Sequence, residues 1–391
     1  MKITDIKVLR ANRAVYCQIE TDEGITGLGE SGAWGFLEAS ASAILAFRDY
    51  LIGKDPLDIE HHWQYLYRFS HFRGAAVMGA LSAIDIALWD LAGKFYNVPV
   101  YKLLGGKCRD KVRVYNHTAG RTEEELVENA IKGVEEGYTA LGHLNPYLDE
   151  PRTIPYQDGN SAMLYKAERR IAKIREAVGD EVDLCLELHR RLEPGLAIQL
   201  SSRLEPYHVM FLEDPIRPDN FDEMGWVASK CRIPIATGER IHTVHEFEML
   251  LERRACSYVR ASLGVCGGFT GAKKIAAVAE AHHVSLVPHN PCSPVMTNAV
   301  LNFAAATDNI AITEYPNPYA ASTADHLTGS GVTLRQCDMV NHIPERKGGY
   351  LSIPEEPGIG IELVSNIEEK FPFRPHQLMT RLNVDGSICD Q

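Results

Sequence analysis

Two rhythms of apolar and polar residues divide this chain. In the first 30 residues the two kinds alternate, in KITDIKVLR and again in AVYCQIETDEGITGLGE, as a half-buried strand pair requires. Asp22-Glu23-Gly24 suits a turn. From residue 36 to 97 the period lengthens to that of a helix. In GALSAIDIALWDLAGK, Leu81, Ile84, Leu88 and Leu91 recur at helical spacing, and Gly93 followed by Pro99 is expected to end the helix.

From about residue 112 alternation returns in short runs. They are VRVYNH (112–117), GYTALGHL (137–144), VDLCLEL (182–188), HVMFLED (208–214), IPIATGE (233–239), CSYVRAS (256–262), VSLVPH (284–289) and IAITEY (310–315). Helical segments such as EELVENAIKGVEEG and GAKKIAAVAEAHH lie between them. Eight strands alternating with helices predict an α/β fold, a (β/α)8-type barrel. An open doubly wound sheet is the runner-up, but no GxGxxG follows any strand. The tail after about residue 350 is rich in Pro and Gly and holds no ninth strand–helix unit, so it is expected to pack on the N-terminal region. The division is therefore an N-terminal α+β unit over 1–111, the barrel over 112–345 and a returning tail over 346–391.

Composition narrows the function. With 45% apolar and 24% charged residues, 391 residues supply a globular core large enough for a barrel and a smaller unit. The net charge of −12, with no basic run to offset it, argues against nucleic acid or anionic membrane as a partner. The apolar window from Gly74 to Gly93 is interrupted by Asp85 and Asp90, so it is not expected to span a membrane. The nine cysteines form no CxxC pair and no signal-like segment opens the chain. A cytoplasmic protein with free thiols is expected.

The chemistry lies at the strand ends, because residues at the C-terminal ends of barrel strands face the active site. The third, fourth and fifth strand candidates end in Glu187, Glu213 and Glu239, at equal steps of 26 residues. That step matches one strand–helix unit, so the three are expected at equivalent places on adjacent strands. Three converging carboxylates repel one another when desolvated, and a hard divalent cation resolves this. An all-oxygen set with room for water or substrate suits Mg2+ better than zinc. His189, two residues beyond Glu187, and His289, at the end of the seventh strand, would flank the ion as acid or base. The eighth strand ends at Glu314. A lone strand-end histidine is more often structural; the expected metal is what tips these two towards function.

These residues resemble the enolase superfamily, in the mandelate racemase-like branch of acid-sugar dehydratases. The resemblance rests on ALSAIDIALWDLAGK with NVPVYKLLGG, the strand ends ELHRRL, FLEDP, TGER, VPHNP and ITEYP, and the stretch VCGGFTGAKKIA. The segments HFRG and EEPGIGIEL…FPFRPHQLMTRLNVDGS look like mannonate dehydratases in particular. The resemblance implies a capping domain built from both termini over the barrel, Mg2+ on the three glutamates, and a small-molecule carboxylate substrate, a sugar acid. It implies removal of the proton beside the carboxylate, a metal-stabilised enediolate, and loss of a hydroxyl to give a 2-keto-3-deoxy acid. His189 matches the acid, His289 the strand-seven histidine, and Glu314 the glutamate near the substrate carboxylate. A dimer-based homo-oligomer is also implied.

Three departures from that pattern stand out. Glu187 replaces the usual aspartate. Ser262 stands where an aspartate usually holds the strand-seven histidine. Gly142 or His143 stands where racemases carry a lysine base. Mannonate dehydratases use a Tyr–Arg pair from the loop after the second strand; here NPYLDEPRTIPYQDGNSAMLY offers Tyr147, Arg152, Tyr156 and Tyr165, with Tyr147 taken as the candidate. Packing accounts for such tyrosines equally well. Candidate substrate-binding residues are Trp34 in SGAWG and Arg73 in SHFRG, then Asn145 and Arg260, with Glu314 beside them. Arg73 could equally brace the domain interface. The alternatives are a racemase, epimerase or cycloisomerase of the same superfamily, and a non-catalytic sugar-acid binder.

Overall fold

Eight short parallel strands close on themselves. They are β4 (Lys111–His117), β5 (Ala140–Leu144), β6 (Asp183–Glu187), β7 (Phe211–Glu213), β8 (Ile235–Thr237), β9 (Tyr258–Val259), β10 (Ser285–Leu286) and β11 (Thr313–Tyr315). Each pairs with the next from β4 to β10. β11 pairs with β4, and the bridge Leu286–Ile310 joins the last gap. Helices follow most strands, among them α5 (Glu123–Glu135), α6 (Asn160–Val178) and α10 (Gly268–Ala281). The structure is a computed structural model describing residues 1–69, 71–319, 335–375 and 379–390.

The N-terminal unit is a three-stranded antiparallel meander, β1 (Ile3–Ala11), β2 (Ala14–Thr21) and β3 (Thr26–Glu30), so the turn at residues 22–24 separates two further strands rather than sitting inside one. Three helices cover it: α1 (Leu37–Leu51), α2 (Ile59–Arg68) and α3 (Ala75–Tyr96). Ile3, Ile6, Val15, Ile19, Ile44, Leu81, Ile84 and Leu88 fill the core between them. Gly93 does not end α3, against expectation. The helix runs to Tyr96 and stops on Asn97, whose φ of 53° turns the chain out. Gly93 serves close approach instead, since a Cβ there would lie 2.6 Å from the Cα of Gly358 in the tail. By length and hydropathy α3 could cross a membrane, but 78% of that window is buried within the fold.

This unit caps the C-terminal face of the barrel. The amide of Gly32 donates to the carbonyl of Gly264, and Trp63 Nε1 donates to the carbonyl of Gly267, both in the loop before α10. Glu30 accepts from Ser293 and Met296 at the start of α11 (Pro294–Ala305).

The tail divides, and only part of it follows expectation. Residues 346–352 form a hairpin, β12 (Arg346–Lys347) and β13 (Tyr350–Ser352), on the first half of β4. Gly358 to Arg374 run along the cap: Asp90 accepts from Ile359, and Asn12 exchanges backbone bonds with Phe371 and Arg374. The last residues pack elsewhere. β14 (Arg381–Leu382) and β15 (Ile388–Cys389) form a hairpin against the loop after β5, where Tyr156 bonds Leu382 and Val384, and Arg381 pairs with Glu150. Buried Arg381 anchors the tail there, a cation drawn to a loop carboxylate.

Candidate active site

Along a strand, every second side chain faces the barrel interior. One interior layer is apolar: Tyr115, Ala140, Cys185, Phe211, Ala236, Val287 and Ile312, with Tyr258 packed against it. Two residues further along each strand, at the C-terminal mouth, stand His117, Gly142, Glu187, Glu213, Gly238, Arg260, His289 and Glu314. Six of these eight positions carry charge or an imidazole. At the two glycines, the following residue is polar instead: His143 after Gly142 and Glu239 after Gly238.

The three glutamates therefore meet without being equivalent. Glu187 and Glu213 are register partners, but Glu213 pairs with Ala236, three residues short of Glu239. Gly238, at φ 136°, lets the chain turn so that Glu239 reaches the same point; a Cβ there would lie 2.7 Å from the Phe247 ring. One carboxylate oxygen from each of the three lies within 4.8 Å of the others.

Their charges are unequally compensated. Arg260, buried to 1% exposure, donates through Nε to Glu213 and through Nη2 to Glu314 at 2.7 Å. Its Nη1 donates to the carbonyl of Val287 at 3.0 Å. Arg260 is therefore not placed as a substrate-binding group: all three of its nitrogens are engaged inside the protein. Burial pushes Glu213 up to about 7 even with Arg260 beside it. Burial and the charges of Glu213 and Glu239 push Glu187 well above the usual carboxylate range. Buried Asp214 is likewise pushed to about 8, by burial and then by Glu239 and Glu213. Burial would raise Glu239 too, but His289, 3.1 Å away, holds it down to about 2. The donor set thus fits a hard cation: oxygen ligands, convergent and desolvated, with an excess of negative charge.

Two histidines flank the cluster on different strands. The His189 amide donates to Glu187 Oε1 at 2.7 Å, and its Nε2 lies 3.9 Å from the same oxygen. Burial and neighbouring His143 depress His189 to about 3. On the other side, Glu239 and Glu314 raise His289 against the effect of burial. The Nδ1 of His289 is buried without a hydrogen-bond partner among the described residues, and Ser262 is buried as well.

His117 was not singled out from the sequence. It lies 3.0 Å from Glu314 Oε1 and stacks on His143, ring centroids 4.9 Å apart. His143 in turn meets His189 edge to face at 5.1 Å. The two-residue inward step from Tyr115 would have found His117, just as the step from Tyr258 explains Arg260. Glu314 gathers His117, Arg260 and the Asn290 amide, and these overcome burial to hold it well below the usual range.

The loop candidates are not brought to this centre as expected. The Tyr147 hydroxyl is buried without a partner among the described residues, and burial raises it despite Arg191 lying 4.4 Å over its ring. A base of lowered pKa is the opposite of what this burial produces. Asn145 is turned inward on its own loop: its Oδ1 accepts from the Tyr147 amide at 2.8 Å. Arg152 donates to the carbonyl of Met379, Tyr156 bonds the tail, and Tyr165 is exposed. In the cap, Arg73 lies over the Tyr67 ring at 4.0 Å, and Trp34, 44% exposed, follows the Gly32 contact with the barrel.

Residues 127–367 match the family described as enolase C-terminal domain-like. Residues 3–105 match the mandelate racemase / muconate lactonizing enzyme N-terminal domain. A D-galactonate dehydratase of Ralstonia pickettii (strain 12J) is 34% identical over 367 residues, 93% of this chain and 92% of that protein. A solved enolase from Agrobacterium radiobacter, provisionally assigned as a galactarate dehydratase and holding sodium and L-malate, superposes with a TM-score of 0.91 at 30% identity, covering 100% of both chains. A provisionally assigned dehydratase of Salmonella enterica serovar Typhimurium superposes at 0.84 with 31% identity, covering 95% of this chain and 98% of that one. The chain belongs to the enolase superfamily, in its mandelate racemase / muconate lactonizing branch, and is an enzyme of the hydro-lyase kind.

Proposed function

We propose that this enzyme dehydrates a sugar acid of the hexonate or pentonate type to a 2-keto-3-deoxy acid, with Mg2+ on Glu187, Glu213 and Glu239. The observation that carries the reading is the convergence of those three buried carboxylates between two histidines at the barrel mouth. The likeness to a D-galactonate dehydratase along nearly the whole chain supports the substrate class.

When bound, the ion supplies positive charge beside the substrate carboxylate, where negative charge develops as the α-proton leaves. His289 Nε2 takes that proton. Its present partner is Glu239, and once Glu239 serves as a ligand its hold on the imidazole weakens. His189, on the opposite flank, gives a proton to the departing hydroxyl, which leaves as water; negative charge developing on the substrate beside it would raise the imidazole from the depressed value that burial and His143 give it. The enol that remains ketonises, losing its hydroxyl proton and taking one at the neighbouring carbon, with no net change in protons. Arg260 fixes Glu213 and Glu314 in place and touches no substrate.

The test is a panel of hexonate and pentonate diastereomers incubated with Mg2+, read by formation of 2-keto acid. Turnover of at least one is expected; no turnover across the panel overturns the reading. Histidines on two sides of one cluster also suit proton exchange without loss of water, as in a racemase or epimerase. Deuterium uptake from solvent at the α-carbon, with no keto acid formed, would favour that second reading.

A further inference from the structure

Glu187 has a second set of neighbours. We propose that His143, Glu187 and His189 form a separate metal site for a borderline-soft divalent cation such as Zn2+, beside the three-glutamate site and sharing Glu187 with it. One ligand atom from each of the three lies within 4.8 Å of the others. The two sets differ in chemistry. Three carboxylates suit a hard ion, whereas two imidazoles and one carboxylate are the set that holds zinc and its first-row neighbours.

The backbone supports the assignment independently. His143 and His189 both have φ of 47°, a left-handed conformation that is uncommon for residues other than glycine, although histidine adopts it more often than most. Around His143 the pairing of β5 with β6 shifts register between Leu141 and Leu144. Such irregularities re-aim a side chain, and they concentrate beside functional sites. Without the shift, the inward position on this strand would be Gly142 alone, where a Cβ would strike the Tyr115 ring at 2.2 Å. The left-handed backbone and the register shift together turn an imidazole towards Glu187, where a regular strand would present a glycine.

Glu187 is also suited to serve both sites. Its Oε1 already faces the His189 side, accepting the His189 amide. A carboxylate shared between two cations about 3.5–4 Å apart is a common arrangement in two-metal centres. Occupancy of the second site would take His189 away from proton transfer, so zinc should inhibit the reaction while leaving the Mg2+ site filled.

The inference shares Glu187 with the proposed function, so the experiment separates the two. Protein held in saturating Mg2+ is titrated with Zn2+ by calorimetry, and Zn-loaded protein is read by X-ray absorption. One equivalent of tightly bound Zn2+ is expected, with two imidazoles in its coordination shell. His143→Asn, chosen because asparagine tolerates positive φ, should weaken Zn2+ at least about 100-fold and leave Mg2+ affinity unchanged. Glu213→Gln should weaken Mg2+ and keep the Zn2+ site. Zn2+ binding equally well in His143→Asn overturns the second site, as does a shell of carboxylate oxygens alone in the wild type. Failure of Glu213→Gln to change Mg2+ affinity overturns the three-glutamate site instead.

Discussion

Carboxylates are buried in two regions of this molecule, and the two handle them differently. At the barrel mouth, Glu187, Glu213, Glu239 and Glu314 crowd together with Arg260 against Glu213 and Glu314, Arg240 against Glu239, and a few imidazoles. At the seam between cap and barrel, Glu30 and Asp85 meet no ion-pair partner among the described residues and accept hydrogen bonds instead. Glu30 takes three at the start of α11, and Asp85 takes the Thr270 amide. The third such acid, Asp90, ties the Leu28 and Ile359 amides together and pairs with Lys94 at 2.8 Å. The seam acids rest on hydrogen bonds and one ammonium, although one oxygen of Asp85 is buried without a partner among the described residues. At the mouth, burial pushes Glu187 and Asp214 far up, and the charges of neighbouring carboxylates push them further. An excess of buried negative charge suits the binding of a cation, whereas a buried acid held by amides across a seam serves as a joint.

The largest expected effect comes from breaking the mouth. Glu213→Gln should lower kcat/KM at least about 1,000-fold, since a lost charge-stabilising group in a catalytic site commonly costs about 4 kcal/mol. Thermal stability should be little changed, because the substitution also relieves repulsion from Glu239 and Glu314. Steady-state kinetics and a melting curve on the same preparation decide it. A variant that is inactive because it is unfolded would erase the distinction between the two regions.

The matching change at the seam should do the reverse. Asp90→Ala leaves the Lys94 ammonium half-buried with only Glu362 and the Thr26 carbonyl, and strips two buried amides of their acceptor. Removing one partner of a buried pair costs about 3–5 kcal/mol. A fall in melting temperature is expected, with kcat of the folded fraction unchanged. A selective loss of kcat would mean that the seam is part of the catalytic machinery.

The two regions were unequally legible in the sequence. The mouth was readable because strand rhythm carries its acids to one end of the barrel: Glu187, Glu213 and Glu239 follow apolar runs at one repeat length. Equal spacing nonetheless suggested equal register, and Gly238 shows why that fails: backbone at φ 136° displaces Glu239 beyond its strand. The same blindness to positive φ hid the part His143 plays at the mouth. His117 was missed although it ends a strand that was recognised, because its partner Glu314 lies 197 residues away. The seam was not readable at all. In the sequence Asp85 and Asp90 read only as interruptions of an apolar window, and Glu30 carries no signal of its role. Apart from Lys94, one helical turn beyond Asp90, their partners come from β3, α10, α11 and the tail, and no local pattern announces those contacts. Tyr147 differs for a related reason: the sequence pairs it with Arg152, but Arg152 bonds Met379, and the guanidinium over its ring is that of Arg191, whose effect burial outweighs.

A smaller effect separates the regions by pH. Burial raises Glu30 and Asp85 to about 7, overcoming their hydrogen bonds. A folded state that holds protons which the unfolded chain releases near pH 4 is favoured below that pH, and the advantage is lost as pH rises through 7. The ceiling is roughly 3–4 kcal/mol per group. Glu30→Gln cannot ionise, so the melting temperature of the wild type should fall relative to this variant between pH 5 and pH 8. Parallel curves for the two proteins would place the pH-sensitive carboxylates elsewhere.

The finest test stays at the mouth and asks whether charge, rather than hydrogen bonding alone, governs Glu314. His117 and Arg260 approach this carboxylate from β4 and β9, and the Asn290 amide from the loop before α11. His117→Gln keeps a donor near Glu314 Oε1 but removes the ability to carry charge. A charged hydrogen bond exceeds a neutral one by about 1 kcal/mol, so roughly a fivefold loss in kcat/KM is expected. At the seam, where neutral amides already satisfy the acids, a comparable exchange of donors should cost stability and leave kinetics untouched. If His117→Gln instead changes only the melting temperature, Glu314 behaves as a seam carboxylate, and the line between working and joining acids must be drawn inside the barrel mouth.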